Sequence, residues 1–420
     1  MNKHNNKLGR WQGAGLLATT LLGTGVFILP QMTISIAGQS ALISWLMLTI
    51  AIIPVTLIFA KLASMYPHAA GPAYFVEKAF GKVAGRCIGL MFLLIVPLGV
   101  PAAILITLQF VNSVIPISGG AIIVAELVIL SILFLLNYRG IKISAQLQFF
   151  ITLMIIAVVM VLLSLSGLQL PSAGQSLSIL TLSIDPILAA AGVAFWSFLG
   201  VEAMTHLAND FNNPKKDMIP AMLIGTGLVG FIYIACTYLL LIVPVDSALS
   251  MIGVFDTLLG GYGSVVIGIL GVAGGLSSAN VYTASTIRLI WSFSNDGILP
   301  SYLSKKNSHN MPVNALLTLL IIMAITLAMT YFTGKHLEDL IAWCNGVFVI
   351  IYFASMMAAL KLLDKSNRPL IGLGALFCVA LTWGLGMKML YAIILILTIL
   401  PLLWWQRNYA LAKQTTENSC

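Results

Sequence analysis

The sequence predicts an all-α polytopic membrane protein of twelve transmembrane helices. Three observations carry that expectation. The chain of 420 residues is 60% hydrophobic and 8% charged, with a mean hydropathy of +1.02, whereas soluble domains carry about 25% charged residues. Its apolar residues cluster into runs near the ~20 residues that a helix needs to cross a bilayer. Its basic residues sort to one side of those runs.

The runs fall at about 13–37, 40–61, 87–111, 120–137, 145–166, 186–207, 219–244, 264–293, 313–333, 338–361, 370–387 and 389–405. Numbered in that order, they leave Lys3, Lys7 and Arg10 before span 1, and Lys61, Lys78, Lys82 and Arg86 between spans 2 and 3. Arg139, Lys142, Lys215, Lys216, Arg288, Lys305, Lys306, Lys361, Lys365, Arg368, Arg407 and Lys413 fall on the same side, which makes 19 of the 21 basic residues. Only Lys335 and Lys388 fall opposite. Basic loops stay in the cytoplasm, so both termini are expected there. One missed helix would scramble the sorting, which supports the count. The net charge of +8 is then topological and not a nucleic-acid footprint.

The five cysteines, Cys87, Cys236, Cys344, Cys378 and Cys420, have no metal-ligand or CxxC spacing. They read as small core residues or a free thiol, and no metal site is expected. The first run spans a bilayer and lacks a small-residue cleavage site after it, so no cleaved signal peptide is expected. Between spans 2 and 3, the stretch from Pro67 to Gly81 contains a Gly71-Pro72 turn and then an apolar–polar pattern. It suits a short interfacial helix or an ordinary linker equally. Gly225-Thr226-Gly227-Leu228-Val229-Gly230 matches GxGxxG inside an apolar span with no strand before it, so it reads as helix packing and not a nucleotide loop.

Span 1 carries Leu21-Leu22-Gly23-Thr24-Gly25-Val26-Phe27-Ile28-Leu29-Pro30 in its middle. Two glycines flanking a threonine weaken a helix. A break at bilayer depth is tolerated only where the freed backbone faces protein or a water-filled cavity. It offers N–H groups from one half and carbonyls from the other, a site suited to a zwitterion. Close helix contact through small residues explains the glycines equally well on this stretch alone. A second interruption at the matching place tips the balance. Span 6 reads Phe195-Trp196-Ser197-Phe198-Leu199-Gly200-Val201-Glu202, a Gly beside an intramembrane acid. Spans 1 and 6 open two blocks of five helices. An odd number per block inverts the second relative to the first, which is the arrangement that brings discontinuous helices together at the midplane.

Ionisable residues inside the spans are few: Glu126, Glu202, His206 and Arg288. Glu126 reads as a helix-terminus residue near the outer face, and His206 as a satisfied histidine near the cytoplasmic end of span 6. Glu202 sits deeper, beside the expected break, where it could carry a proton or close a gate.

These stretches resemble the amino acid–polyamine–organocation superfamily of transporters along most of the chain. Gly23-Thr24-Gly25-Val26-Phe27 resembles its first-helix motif, and Trp196 to Glu202 is similar to the sixth-helix motif of its antiporters. Asn212-Asn213-Pro214-Lys215-Lys216-Asp217-Met218-Ile219-Pro220-Ala221 looks like its NP-[KR] signature. Ala70-Gly71-Pro72 to Gly81 and Asn295-Asp296-Gly297-Ile298-Leu299-Pro300 also fit. Each motif is short, but five in the family's order are specific. The resemblance implies that the N–H groups of Thr24 and Gly25, beside Gly23, hold a substrate carboxylate. Carbonyls of Leu21, Trp196 and Leu199, beside Gly200, would receive the ammonium. Trp196 would cover the substrate as a gate, and Glu202 would couple gating to protonation. Span 5 lacks the lysine that some proton-coupled relatives carry. Ser277 and Ser278 could offer sodium ligands, although small polar residues packing a helix interface are the simpler reading.

Around the expected site no arginine pairs an anionic side chain, and no acid other than Glu202 pairs a cationic one. Elimination points to a neutral, apolar or thioether side chain; together with the resemblance, it implies a secondary transporter of methionine, leucine, isoleucine and valine, exporting them by proton antiport from the bacterial inner membrane. Apolar pockets discriminate methylenes by only about 1–3 kcal/mol, so a small group of substrates is expected. Importers or exchangers of the same superfamily, taking cationic or broader neutral substrates, are the alternative. A membrane enzyme is disfavoured, because HExxH, GxSxG and paired acids are all missing. A sensor is disfavoured by tails of about 12 and 15 residues. No cofactor and no nucleic-acid partner are expected; a proton is the expected coupling ion, the bilayer is the medium, and the protein is a monomer or homodimer. The expected blocks are a tail at 1–12, repeats at 13–166 and 186–361, two further helices over 370–405 and a tail at 406–420.

Overall fold

The computed structural model describes residues 8–23, 25–68, 70–139, 145–167, 183–243, 245, 247–334 and 337–417. Thr24, Lys3, Lys7, Lys142, Lys335 and Cys420, all singled out above, lie outside them. Among the described residues the chain is helical, and its one β feature is an isolated parallel bridge between Leu8 and Phe211.

The helices are α1 (Arg10–Leu22), α2 (Leu29–Ala37), α3 (Ala41–Met65), α4 (Pro72–Phe80), α5 (Lys82–Val114), α6 (Gly120–Tyr138), α7 (Ala145–Leu165) and α8 (Ile184–Ala194). They continue as α9 (Pro214–Ile242), α10 (Ser250–Leu259), α11 (Gly263–Asn295), α12 (Val313–Thr333), α13 (Leu337–Leu362), α14 (Arg368–Leu385) and α15 (Leu390–Glu417). Nine helical stretches among the described residues are long and apolar enough to cross a membrane.

Local sequence explains the boundaries. Pro30 lies in the first turn of α2 and Pro72 opens α4, where a missing N–H is harmless. The stretch between spans 2 and 3 is therefore a helix and not a plain linker. Its Pro72, Phe75 and Val76 are buried, and it packs on α5 and α13. Asn213 caps α9: its side chain accepts the Lys216 N–H at 3.3 Å, with Pro214 at the first helical position. The Asn-Pro-Lys signature is thus a helix start with a physical reason. Gly225 of the GxGxxG stretch packs on α1, where an added Cβ would lie 3.0 Å from the Ala14 carbonyl oxygen. Gly230 packs as closely on Thr49 of α3. Gly225 and Gly230 serve helix contact, as read from the sequence, whereas an added Cβ on Gly227 would meet nothing within 4 Å. Glu126 differs from its expectation. It lies within α6 and is buried, not exposed at a terminus.

Burial is graded from the centre outwards. In the stretch Ile184–Asp210, 78% of the most apolar window is buried within the protein, against 22% in Lys365–Trp405. Phe332, Leu376, Trp383 and Leu397 are exposed, as suits surfaces against hydrocarbon. The broken segments occupy the covered centre, against α3, α9, α11 and α13. At one end the start of the chain is pinned to the end of the second segment. The Leu8 N–H donates to the Asp210 carbonyl at 2.7 Å, and the Asn212 N–H donates to the Leu8 carbonyl at 2.9 Å.

Candidate functional site

The first apolar run is interrupted between Leu22 and Leu29, and Gly25 to Ile28 form turns. Gly23 is needed because backbone crosses backbone there. A Cβ on Gly274 of α11 would sit 2.2 Å from the Gly23 carbonyl oxygen, and one on Gly23 would sit 2.2 Å from Ser278 Oγ. The Leu21 carbonyl accepts the Tyr233 hydroxyl at 3.3 Å. Tyr233 is fixed in turn by stacking on Trp45, with centroids 4.5 Å apart, and the Trp45 Nε1–H donates to Thr33 Oγ1 at 2.9 Å.

The second interruption begins where α8 ends at Ala194. A 3-10 turn covers Phe195–Phe198, a turn follows over Leu199 to Glu202, and a 3-10 helix covers Ala203–Asp210. Asn345 of α13 donates through Nδ2 to the Gly192 carbonyl at 2.7 Å and the Val193 carbonyl at 3.3 Å, bonding carbonyls at the end of α8. Gly200 has φ +124°, a conformation that favours glycine, and a Cβ there would meet Thr20 Cγ2 at 2.9 Å and Leu21 Cδ2 at 3.0 Å. The two interruptions therefore touch.

Glu202 is fully buried. Its carboxylate accepts the Gly200 N–H, 3.2 Å from Oε1 and 3.0 Å from Oε2, and also the Tyr352 hydroxyl of α13. The Tyr352 oxygen lies 3.2 Å from the Phe198 carbonyl as well. A hydroxyl has one proton to donate, so carboxylate and carbonyl compete for it. The Glu202 carbonyl accepts the Thr205 hydroxyl and N–H.

A cavity lies beside these segments. Thr20 and Leu21 of α1 and Trp196 and Leu199 of the second interruption form one wall. Residues of α5 from Ile95 to Ala103 form another, with Ser278, Ala279 and Tyr282 of α11 and Cys344 and Phe348 of α13 completing it. Among the described residues, no Asp, Glu, Lys, Arg or His lines it. Pro97 and Pro101 lie in the lining stretch of α5; having no N–H, they leave the carbonyls of Leu93 and Pro97 without helical donors.

Of the residues expected at the site, Leu21, Trp196 and Leu199 stand in the cavity wall. Gly23, Gly25 and Gly200 are buried behind it, and so is Glu202. The Trp196 carbonyl accepts the Leu199 N–H at 3.2 Å. His206 lies in the 3-10 segment after Glu202, with its ring centroid 6.3 Å from that of Phe92.

Sequence reasoning missed the α5 and α13 walls, Tyr282, Asn345 and Tyr352. Two prolines four residues apart inside one span were the available signal for α5. The others escaped because only strongly ionisable residues were sought within the spans, and neutral hydrogen-bonding side chains do comparable work there.

A family model for amino acid permeases matches residues 8–418. The chain is 33% identical over 406 residues to the L-methionine/branched-chain amino acid exporter YjeH of Escherichia coli (strain K12), covering 94% of this chain and 96% of that one. It is 26% identical over 412 residues to an uncharacterized amino acid permease, YecA, of Bacillus subtilis (strain 168), covering 91% and 92%. It is 23% identical over 402 residues to a cadaverine/lysine antiporter of E. coli (strain K12), covering 89% and 88%.

Proposed function

Because the chain belongs to the amino acid permease family, we propose that it is a secondary active transporter of neutral, apolar L-amino acids, namely methionine, leucine, isoleucine and valine. It exports them across the inner membrane in exchange for protons. The observation that carries this reading is the uncharged cavity against both interruptions. A cationic or anionic side chain would sit there without a counter-charge, at high cost in a low-dielectric site. The exporter relative is named for methionine and branched-chain substrates, which supports the same choice.

In this reading the twelve apolar runs are twelve spans with both termini cytoplasmic. Residues 13–166 and 186–361 are inverted repeats, and 370–405 adds two helices. The substrate carboxylate takes the N–H groups of Thr24 and Gly25, and the ammonium takes the Leu21, Trp196 and Leu199 carbonyls. Trp196 closes over the substrate. Glu202, bonded to the backbone of the second interruption, reports protonation to it.

The test is uptake of labelled L-methionine into proteoliposomes holding the purified protein, with and without a pH gradient. Leucine, arginine and glutamate serve as competitors. Gradient-driven uptake blocked by leucine alone is the expected result. Block by arginine would move the substrate to the cationic class. Uptake only after preloading with unlabelled amino acid would replace proton antiport with obligate exchange.

A further inference from the structure

One polar group of the cavity wall lacks a partner. The Tyr282 hydroxyl of α11 is buried and makes no hydrogen bond. Buried polar groups are nearly always bonded, and an unbonded one calls for an explanation. The Thr20 hydroxyl, also in the wall, is committed to the Leu16 carbonyl at 2.9 Å. Across the cavity, Gly99 of α5 leaves an opening bounded by sulfur and indole. A Cβ there would lie 3.5 Å from Cys344 Sγ and 3.9 Å from Trp196 Cη2. The cavity is thus largely apolar, aromatic and soft; among its described lining residues, Tyr282 carries the fully buried hydroxyl that has no partner.

We infer that Tyr282 determines specificity by donating its hydroxyl to an acceptor in the substrate side chain, so that the site selects a thioether amino acid over a hydrocarbon one of equal length. The inference rests on the proposed reading of this cavity as the amino acid site. A thioether sulfur is a weak acceptor, but it is also polarisable and packs well on aromatic rings, which Trp196, Phe348 and Tyr282 supply. An amide or hydroxyl side chain would accept more strongly but would desolvate its remaining polar atoms against a wall with few partners. A hydrocarbon side chain leaves the Tyr282 hydroxyl dry and unpaired. Leaving a buried donor without its partner is what makes a site reject an analogue.

Norleucine, in which a methylene replaces the methionine sulfur, separates these cases. Proteoliposome uptake should favour methionine over norleucine by about three- to tenfold in kcat/KM, the worth of one modest hydrogen bond. Tyr282→Phe should bring the ratio near unity by lowering methionine uptake while sparing norleucine. Gly99→Ala narrows the cavity without touching the hydroxyl, so it should slow both and keep the ratio. Equal use of methionine and norleucine by the wild type overturns the inference, whatever the variants do. So does an unchanged ratio in Tyr282→Phe. Equal loss of both substrates in that variant places the hydroxyl on their common amino or carboxylate end, and overturns the side-chain assignment alone. A wild type that moves neither substrate overturns the transport reading and this inference together.

Discussion

Among the described residues, the backbone of the first interruption is met by neutral groups: the Tyr233 hydroxyl on the Leu21 carbonyl, and the close crossing of Gly23 by Gly274. At the second it is met by an ionisable one, the Glu202 carboxylate on the Gly200 N–H, with the Tyr352 hydroxyl alongside. Both segments are deeply buried and both abut the same cavity, so burial does not distinguish them. Their response to pH does. A hydroxyl and a carbonyl keep their bonding roles across physiological pH. A carboxylate is acceptor-only when ionised and gains a donor when protonated. In the proposed reading, a proton arriving at Glu202 would redirect the Tyr352 hydroxyl and loosen the Gly200 bond, whereas the described contacts of the first interruption hold no group that titrates near neutral pH. On the same reading, coupling belongs to the second segment and shape-holding to the first.

The largest effects should come from steric breaks in each. Gly274→Ala puts a Cβ 2.2 Å from the Gly23 carbonyl oxygen, backbone that can yield only by moving the first segment off α11. Overpacking of this kind costs about 1–3 kcal/mol or more, and uptake should fall at least tenfold with the protein still monodisperse in detergent. Gly200→Ala combines an unfavourable φ with contacts at 2.9 and 3.0 Å on Thr20 and Leu21, and a loss of similar size is expected. Uptake near wild type in either variant would mean that the interruptions do not need the close contact described.

Glu202→Gln sharpens the comparison chemically. The amide keeps an oxygen for the Gly200 N–H but does not titrate. Binding of labelled methionine, read by scintillation proximity, should stay within about threefold of wild type. Uptake should lose its pH dependence. A pH profile that still follows the wild type would remove Glu202 as the coupling group and leave the two interruptions equivalent.

Both interruptions were legible because their causes are local: Gly23 and Gly25 flanking Thr24 in one run, and Gly200 beside an acid in the other. The short α4 was only half legible: its Gly-Pro pair left a helix and a linker even, and the burial of Phe75 and Val76 decides for the helix. The cap at Asn213 went unread, although its Asn-Pro pair marks a helix start. The cavity's far walls were not legible. Cys344, Phe348 and Tyr282 are ordinary residues in apolar helices, and only the packing of α5, α11 and α13 around the two segments makes them a surface. Tyr352 and Asn345 illustrate the same limit. Each bonds a group about 150 residues away, and nothing in their own neighbourhoods announces it.

The smallest effect should come from the neutral partner of the first interruption. Tyr233→Phe removes one hydroxyl and leaves the ring, which keeps its stack on Trp45. The Leu21 carbonyl then loses its donor at 3.3 Å, a long bond worth about 1 kcal/mol or less. Uptake should fall by about fivefold or less. If the carbonyl also receives the substrate ammonium, the loss should appear in KM and not in kcat, because the freed oxygen still faces the ligand but is less well held. The pH profile should overlay that of the wild type. A shifted profile in Tyr233→Phe would mean that protonation at Glu202 is felt across the Gly200–Leu21 contact, and the division of labour between the two interruptions would fail at the point where they touch.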